Sequence, residues 1–432
     1  MRFPSLHLSL SNGEKLVLLA IGLFVLVFFK PVISGDGVGY YAVLEGTVRD
    51  HSFNLSNQLR YNEVFNGTAV FFYEGSKQYV SQYAPGIALL SAPFYAVSLV
   101  LDDFKIFHIK DDFFLAERGD ILIHSLAAIA APLLLFLLAL LFSLEICKKE
   151  GLKTGGIALL LAFFGTPIIR YATYDLYYTH VVEAGLLAML IYCLFYKKPI
   201  IYSGALIGLL TMVRYTSALY LIPIVGYLLW KNKKREIIPL AASFAPFLLA
   251  ILGYFWGSYG SPFTTGYSAS GALSGNFDLI PIGIVNVLFS TQSGLLVWSP
   301  LVLLALFGLW QWKDDRKWLL FGIFATMLWH TSAFFNGTTG YSFGNRYYAA
   351  MFPIFVIGLA FFLEKHAKLL WLAAVLSFYN FSLFLLSIAG DFTGIFPSLP
   401  AIYNYWFIEG NITKFPHLVI EKTGLYRLIF ER

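Results

Sequence analysis

Long apolar runs recur along the chain from Leu16 to Ile388, and they constrain its fold more than any other feature. A bilayer core about 30 Å thick needs about 20 apolar residues for each helix that crosses it. Only 13% of the 432 residues are charged, whereas about 25% are charged in a soluble domain. The sequence therefore predicts an all-α polytopic membrane protein embedded in the lipid bilayer. The net charge of +5 is too small to indicate a nucleic-acid partner.

Five clusters of lysine and arginine separate these runs and predict which loops are cytoplasmic. Cytoplasmic loops of membrane proteins carry an excess of Lys and Arg. Pairs of apolar runs lie between successive clusters, so the chain can leave and re-enter the cytoplasmic side each time. The clusters are Lys148–Lys153, Lys197–Lys198, Lys231–Arg235, Lys313–Lys317 and Lys365–Lys368.

The alternation between cytoplasmic and external sides also orients the rest of the chain. A first helix over 16–33 runs outward from a cytoplasmic N-terminus, and a helix over 121–146 returns to Lys148. Residues 34–120 then form a long first external loop, within a membrane domain that we predict over 1–390. About 11 transmembrane helices result, and residues 391–432 form a short external tail. We expect the chain in the cytoplasmic (inner) membrane, with its C-terminus outside. The external surface also includes the following loops: 169–180, 257–283 and 336–346.

The apolar stretch Gly86–Leu101 lies inside the predicted external loop. Both ends of this stretch are assigned to the external side, so it should lie along the membrane interface, or dip in and return, as an interfacial helix can. The alternative is that it is an ordinary span and that another span has been assigned wrongly.

Asp36 lies between Gly35 and Gly37 directly after the first helix, and it opens the segment Tyr40–Val48, which reads as amphipathic. One interpretation is that Asp36 caps the following helix, because Asp is a favoured N-cap residue. The other is that its carboxylate is a general base held where lipid headgroups meet water. Spacing alone does not choose between the two.

Further motifs follow this segment in order, and together they resemble the GT-C superfamily of membrane glycosyltransferases. The branch that the chain resembles is bacterial and includes enzymes related to protein O-mannosyltransferases and aminoarabinose transferases. The resemblance covers about residues 30–363. Its motifs are Gly35–Tyr41, Gln82–Gly86, Ser91–Phe94, Gly165–Pro167, Tyr171–Thr173, His180, Val213–Thr216, Gly294–Pro300 and Tyr341–Tyr348.

The resemblance implies an inverting transfer of a sugar from a polyprenyl-phosphate carrier to an acceptor at the outer face of the membrane. Asp36 would be the catalytic base, because a sugar hydroxyl becomes a good nucleophile only when a positioned carboxylate draws off its proton. The acceptor would be a glycan, a lipid or a protein. Many relatives carry a second acid beside the first, but here Gly37 stands in that place. We therefore expect no cofactor and no metal.

Two arginines suit the phosphate of such a donor. Arg214 interrupts an apolar stretch at a predicted external helix end, and an ionisable residue there suggests function. Arg346 follows Ser342–Asn345 in an external loop, and its planar fork fits phosphate oxygens. The alternatives are an arginine that snorkels to headgroups and a solvated loop arginine.

Four other side chains are candidate substrate ligands, and three of them also have a plainer interpretation. His180 has Glu183 one turn later, so the two could form a structural pair or part of an acceptor site. Glu45 follows Asp36 on the same short helix. Lys77 and Tyr83 precede Pro85 and could contact the donor or be ordinary loop residues.

A non-catalytic lipid or solute transporter is the alternative function. It would explain the helices and Arg214 equally well. It would not explain an external segment of this length that opens with Gly35-Asp36-Gly37.

The predicted sidedness can be tested with introduced cysteines. Cysteines at Asn57 and Asn411 should react with a membrane-impermeant thiol reagent in intact cells, because both positions are expected outside. A cysteine at Lys233 should react only after the membrane is opened. Protection of both Asn57 and Asn411 in intact cells would contradict the assignment.

Overall fold

Helices form nearly all of the regular structure in the computed structural model, which describes residues 10–30, 33–64, 69–103, 122–196, 198–271, 283–334, 342–390 and 398–423. Helices in chain order are α1 Asn12–Phe28, α2 Asp36–Val48, α3 Arg60–Val64, α4 Gly86–Asp103, α5 Leu122–Lys149, α6 Gly155–Gly165, α7 Ile168–Tyr171, α8 Thr179–Phe195, α9 Ile200–Val213, α10 Leu221–Trp230, α11 Ile237–Tyr259, α12 Gly266–Ala269, α13 Ile284–Phe289, α14 Leu295–Trp298, α15 Leu301–Gln311, α16 Arg316–Ala333, α17 Phe352–Lys365, α18 Leu370–Ala389, α19 Leu399–Tyr403 and α20 Phe415–Glu421.

Shorter elements join these helices. The 3₁₀-helices are Ser56–Leu59, Tyr215–Tyr220, Lys234–Glu236, Arg346–Met351, Ala367–Leu369 and Asn411–Lys414, and Asn404–Ile408 is a π-helix. Two strands, β1 Phe71–Tyr73 and β2 Gln78–Val80, pair antiparallel with Phe72 opposite Tyr79. The sequence did not predict this hairpin, because its strands are only three residues long.

Four of the described helical segments are long and apolar enough to cross a membrane, as a membrane protein requires. They are Ile123–Lys149, Lys234–Tyr259, Arg346–Lys365 and Ala367–Ala389. Several shorter apolar helices lie on other predicted passages: α6, α8, α9, α10 and α15. The prediction of a helical fold with helices of membrane-spanning character is confirmed. The count of about 11 spans stays a prediction.

Helix α17 lies at the centre of the bundle. Every residue from Phe352 to Leu363 is buried, and the helix packs against α5, α6, α8 and α15. A helix that is apolar on all sides belongs in such a core. By contrast, α11 and α18 each expose large apolar side chains, among them Leu249, Trp256 and Phe378, as helices that face lipid do.

The segment between α1 and α5 is packed more deeply than the sequence suggested. In α2 all residues from Gly37 to Gly46 are buried, so the interpretation of this stretch as amphipathic is wrong. Its neighbours are α4 on one side and the 3₁₀-helix Ser56–Leu59 on another. Burial on all sides fixes the direction in which α2 begins, and this matters because Asp36 is its first residue.

Helix α4 has one buried and one exposed face. Ile87, Ser91 and Tyr95 are buried, whereas Leu89 and Val97 are half exposed or more. Its 18 residues correspond to about 27 Å of helix, close to the thickness of a bilayer core. The interfacial position of this helix stays a prediction.

The described part of the C-terminal tail is helical and packs back on α18. Trp406 is fully buried, and its indole N–H donates to the backbone carbonyl of Leu386 at 3.0 Å. The predicted boundary at residue 391 lies outside the described residues.

Gly86 allows the first turn of α4 to touch the end of α9. A Cβ atom at this position would lie 2.3 Å from the backbone of Met212 and Val213, which is too close for any side chain. The contact brings Tyr83, three residues before Gly86, to the same end of the bundle as Arg214, the residue that ends α9.

Gly86→Ala should therefore lower the melting temperature of the detergent-solubilised protein, because the added methyl group forces α4 and α9 apart at a typical cost of about 1–3 kcal/mol. Gly226→Ala is the matched control, since a Cβ there meets nothing within 4 Å and alanine favours a helix interior. Equal melting temperatures for the Gly86 variant and the parent would show that this contact does not hold the two helices together.

Candidate active site

Asp36 is the first residue of α2, and the residue before it shapes the turn. Gly35 has φ +53°, and a Cβ there would lie 1.9 Å from the Tyr178 hydroxyl oxygen. The Asp36 backbone N–H donates to that hydroxyl at 3.1 Å. Gly35 occupies the N-cap position, and no side chain makes a capping hydrogen bond there. The interpretation of Asp36 as a helix cap is therefore wrong, and its carboxylate is available for other contacts.

The Asp36 carboxylate joins two distant segments of the chain. Its Oδ2 accepts a hydrogen bond from Arg346 Nη1 at 2.8 Å, and its Oδ1 accepts one from the Tyr83 hydroxyl at 3.1 Å. The side chains of Asp36 and Arg346 are 30% and 20% exposed. A charged pair that is still partly open to solvent can be reached by a ligand, unlike a pair sealed in the core.

A second ion pair lies deeper. Glu183 of α8 is fully buried, and it accepts hydrogen bonds from Arg214 Nη1 at 3.2 Å and from the Ser217 hydroxyl at 2.7 Å. Arg214 has extended backbone angles after the last turn of α9, so its side chain leaves the line of that helix. The prediction that Arg214 lies at a helix end is confirmed.

His180 lies beside this pair without a hydrogen bond to it. Its Nδ1 is 3.8 Å from Glu183 Oε2, which is longer than a hydrogen bond, and Nδ1 has no hydrogen-bond partner within the described part of the chain. The imidazole packs edge-on against Tyr171, with ring centres 4.8 Å apart. Glu183 is thus paired with Arg214, and His180 is held mainly by aromatic contacts.

The ring of Tyr347 connects the two ion pairs. The guanidinium carbon of Arg214 lies 4.0 Å from its centre, and that of Arg346 lies 5.6 Å from the same centre. A guanidinium over an aromatic face is attracted by the ring quadrupole. Both arginines, one from the α9 end and one from the segment before α17, are therefore tied to one side chain.

Further tyrosines surround Asp36. Tyr40 and Tyr83 pack together with ring centres 4.6 Å apart. Burial raises the pKa of Tyr83 well above its ordinary value, and the nearby charge of Asp36 adds to this; the phenol therefore stays protonated and can keep donating to the carboxylate. Burial likewise raises the pKa of Tyr267 in α12, with contributions from Tyr347 and Asp36.

Sequence reasoning did not assign Tyr178, Tyr267, Tyr347 or Ser217 to this site, and it named Glu183 only together with His180, as a structural pair or part of an acceptor site. In the sequence alone, the three tyrosines cannot be told from the aromatic residues that membrane proteins carry at helix ends near the interface. The one available signal was position, because Tyr347 directly follows Arg346 and Ser217 lies three residues after Arg214.

Two predicted ligands lie in other surroundings. Glu45 follows Asp36 by nine residues, which places it about 13 Å further along α2, and it accepts hydrogen bonds from Arg49, Arg60 and Tyr61. Lys77 lies in the hairpin turn, is largely exposed and pairs with Glu74. Within the described ranges, no contact joins either residue to Asp36 or Arg346.

The chemistry available at the site follows from its charges. Two carboxylates and two guanidiniums give a formal charge of zero, so an added anion meets cations that are already balanced. No group of three or more His, Cys, Asp or Glu side chains in the described segments could hold a metal ion, and transfer without a metal stays a prediction. A carboxylate can accept a proton, and the arginines can bind an oxyanion.

In comparisons with known proteins, the chain matches no protein-family model and no curated protein. The class of site is therefore defined by geometry alone. It is a partly exposed carboxylate–arginine pair joined through an aromatic ring to a buried pair, in a bundle with helices of membrane-spanning character.

The buried pair can be tested by a double-mutant cycle. Glu183→Ala should strongly lower the melting temperature, because it leaves the Arg214 guanidinium without its carboxylate, a change that costs about 3–5 kcal/mol at buried sites. Adding Arg214→Ala should recover part of this loss. If the two losses simply add, the residues do not interact in the folded protein.

Proposed function

We propose that the protein is an inverting glycosyltransferase of the GT-C type that moves a sugar from a polyprenyl-phosphate carrier to an acceptor. The observation that carries the proposal is the Asp36 carboxylate, held by Arg346 and Tyr83 and partly open to solvent. The resemblance of the motifs that contain these residues adds support.

In this reaction Asp36 acts as the general base. The acceptor hydroxyl attacks the anomeric carbon, and its proton passes to a carboxylate oxygen of Asp36. The bond between the anomeric carbon and the phosphate oxygen breaks, and its electron pair leaves with the polyprenyl phosphate. The sugar is thereby transferred with inversion. Because Arg346 and Tyr83 hold the carboxylate by one oxygen each, it is fixed in direction before the acceptor arrives.

Arg346 and Arg214 are the cations available to stabilise the phosphate as its charge grows. Positioned donors contribute most where charge develops in the transition state. Tyr83 and His180 lie at the edges of the same site and are candidates for contact with the substrate. Glu45 and Lys77 are not part of this proposal, since their contacts lie elsewhere.

The proposal includes about 11 spans in the inner membrane, with the site on the outer face. The contacts between the predicted cytoplasmic clusters support one common side for them. Arg316 bonds Glu150 at 2.8 Å through two nitrogens, and Lys231 bonds Asp315 at 2.6 Å. Three clusters that are far apart in sequence therefore meet in space, as expected if all of them lie on the cytoplasmic side.

The central test is Asp36→Asn. Asparagine keeps the shape of the side chain but cannot take up the proton, so turnover should fall by about 10²–10⁴-fold, the usual contribution of a general base. The melting temperature should change little, because a partly exposed ion pair stabilises by about 0–1 kcal/mol. The measurement is transfer from a radiolabelled polyprenyl-phosphate sugar in proteoliposomes.

Glu74→Gln serves as the matched control, since Glu74 is an exposed acid of the same segment that pairs with Lys77, and its turnover should equal that of the parent. Near-parental turnover of a folded Asp36→Asn variant would end the claim for the base. A parent that moves the lipid or solute across the bilayer without any transfer would instead favour the transporter.

A further inference from the structure

The two arginines have different partners, and this favours different tasks for them in an inverting transfer: Arg346 contacts Asp36, and Arg214 contacts Glu183. The acceptor enters on one face of the anomeric carbon, and the phosphate leaves from the other. Groups that act on opposite faces of a sugar need room for it between them, and in inverting sugar hydrolases the two carboxyl groups are about 6.5–9.5 Å apart. An arginine 2.8 Å from the base therefore lies on the acceptor side.

Arg346 fits the acceptor side for a second reason. Its Nη1 holds Asp36 Oδ2, while Tyr83 holds the other carboxylate oxygen. If Arg346 left to bind phosphate, the base would lose its orientation at the moment of attack. We therefore expect the hydrogen bond between Arg346 and Asp36 to persist during the reaction.

Arg214 fits the phosphate side. One of its terminal nitrogens donates to the buried Glu183, and a guanidinium has five N–H donors, which leaves donors for an oxyanion. Glu183 is also held by Ser217, so the guanidinium is anchored from the protein interior. Its side chain is 14% exposed, and a ligand in the site can therefore reach it.

Contact with the ring of Tyr347 limits how far apart the two guanidiniums can lie. Their carbons lie 4.0 and 5.6 Å from the same ring centre, and are therefore at most about 9.6 Å apart, the total of the two distances. This upper limit leaves room for the separation of about 6.5–9.5 Å between the two carboxyl groups of inverting sugar hydrolases. His180 packs edge-on against the same ring at 6.1 Å and so limits its movement.

We propose that Tyr347 is a positioning residue that divides the work of the two arginines: it keeps Arg346 on the base Asp36 and Arg214 at the place of the leaving phosphate. This inference rests on the proposed function for its chemistry. The ring holds both cations through its face, and its hydroxyl is not required for this role.

Two arginine variants test the division. Arg214→Gln should weaken the binding of farnesyl phosphate, measured by calorimetry in detergent micelles, by about tenfold or more, since a charge-assisted contact is lost. Arg346→Gln should leave this binding within about threefold but lower kcat by tenfold or more. Equal losses of binding in the two variants would overturn the division.

Two variants of the ring test its role. Tyr347→Leu should lower both kcat and the affinity for farnesyl phosphate, and Tyr347→Phe should restore both, because phenylalanine keeps the face. A second readout needs no ligand: the rate at which phenylglyoxal modifies Arg214 and Arg346, followed by peptide mass spectrometry. Both rates should rise at least threefold in Tyr347→Leu and stay at the parental level in Tyr347→Phe.

The two readouts separate the inference from the proposed function. If the parent neither binds farnesyl phosphate nor transfers sugar, but Tyr347→Leu speeds modification of both arginines, the proposed function fails and the spacing role stands. If modification is unchanged in Tyr347→Leu, the spacing role is overturned whatever the activity.

Discussion

The ion pair between Asp36 and Arg346 is the interaction on which the arrangement of the site depends. It joins the first turn of α2 to the segment that leads into the central helix α17, across 310 positions of sequence. The Tyr83 hydroxyl, bonded to the other carboxylate oxygen of Asp36, adds the segment before α4 to the same junction. Burial of α2 on all sides fixes the position of Asp36, and the 3₁₀-helix that begins at Arg346 fixes the position of the arginine.

The site also shows how charges are accommodated inside such a bundle. A buried carboxylate is costly unless it is paired and hydrogen-bonded, and Glu183 has both an arginine and a hydroxyl. Asp36 has the same kind of partners but remains partly exposed. The two pairs therefore differ in their carboxylates: that of Glu183 is enclosed in the core, and that of Asp36 is partly open to a substrate.

Much of the fold could be predicted because apolar runs and charge clusters are local properties. The helices occur where the runs are, and the predicted helix end at Arg214 is present. The hairpin and the full burial of α2 could not be predicted, since they depend on which distant segments cover them. For the site, resemblance selected Asp36, Arg214, Arg346 and Tyr83, which the structure brings together. The same reasoning included Glu45 and Lys77, whose partners turn out to be Arg60 and Glu74.

The sequence by itself determined a helical chain of membrane character and the chemical types of residue in the candidate site. Length, hydropathy and charge suffice for both. Only the tertiary structure decided the pairing. The sequence placed His180 and Glu183 one turn apart on a helix, yet Glu183 bonds Arg214, 31 positions away. Likewise, only the folded chain places the ring of Tyr347 against two arginines. The physical reason is that a buried charge is stabilised by the partner nearest in space, and distances in space are set by packing.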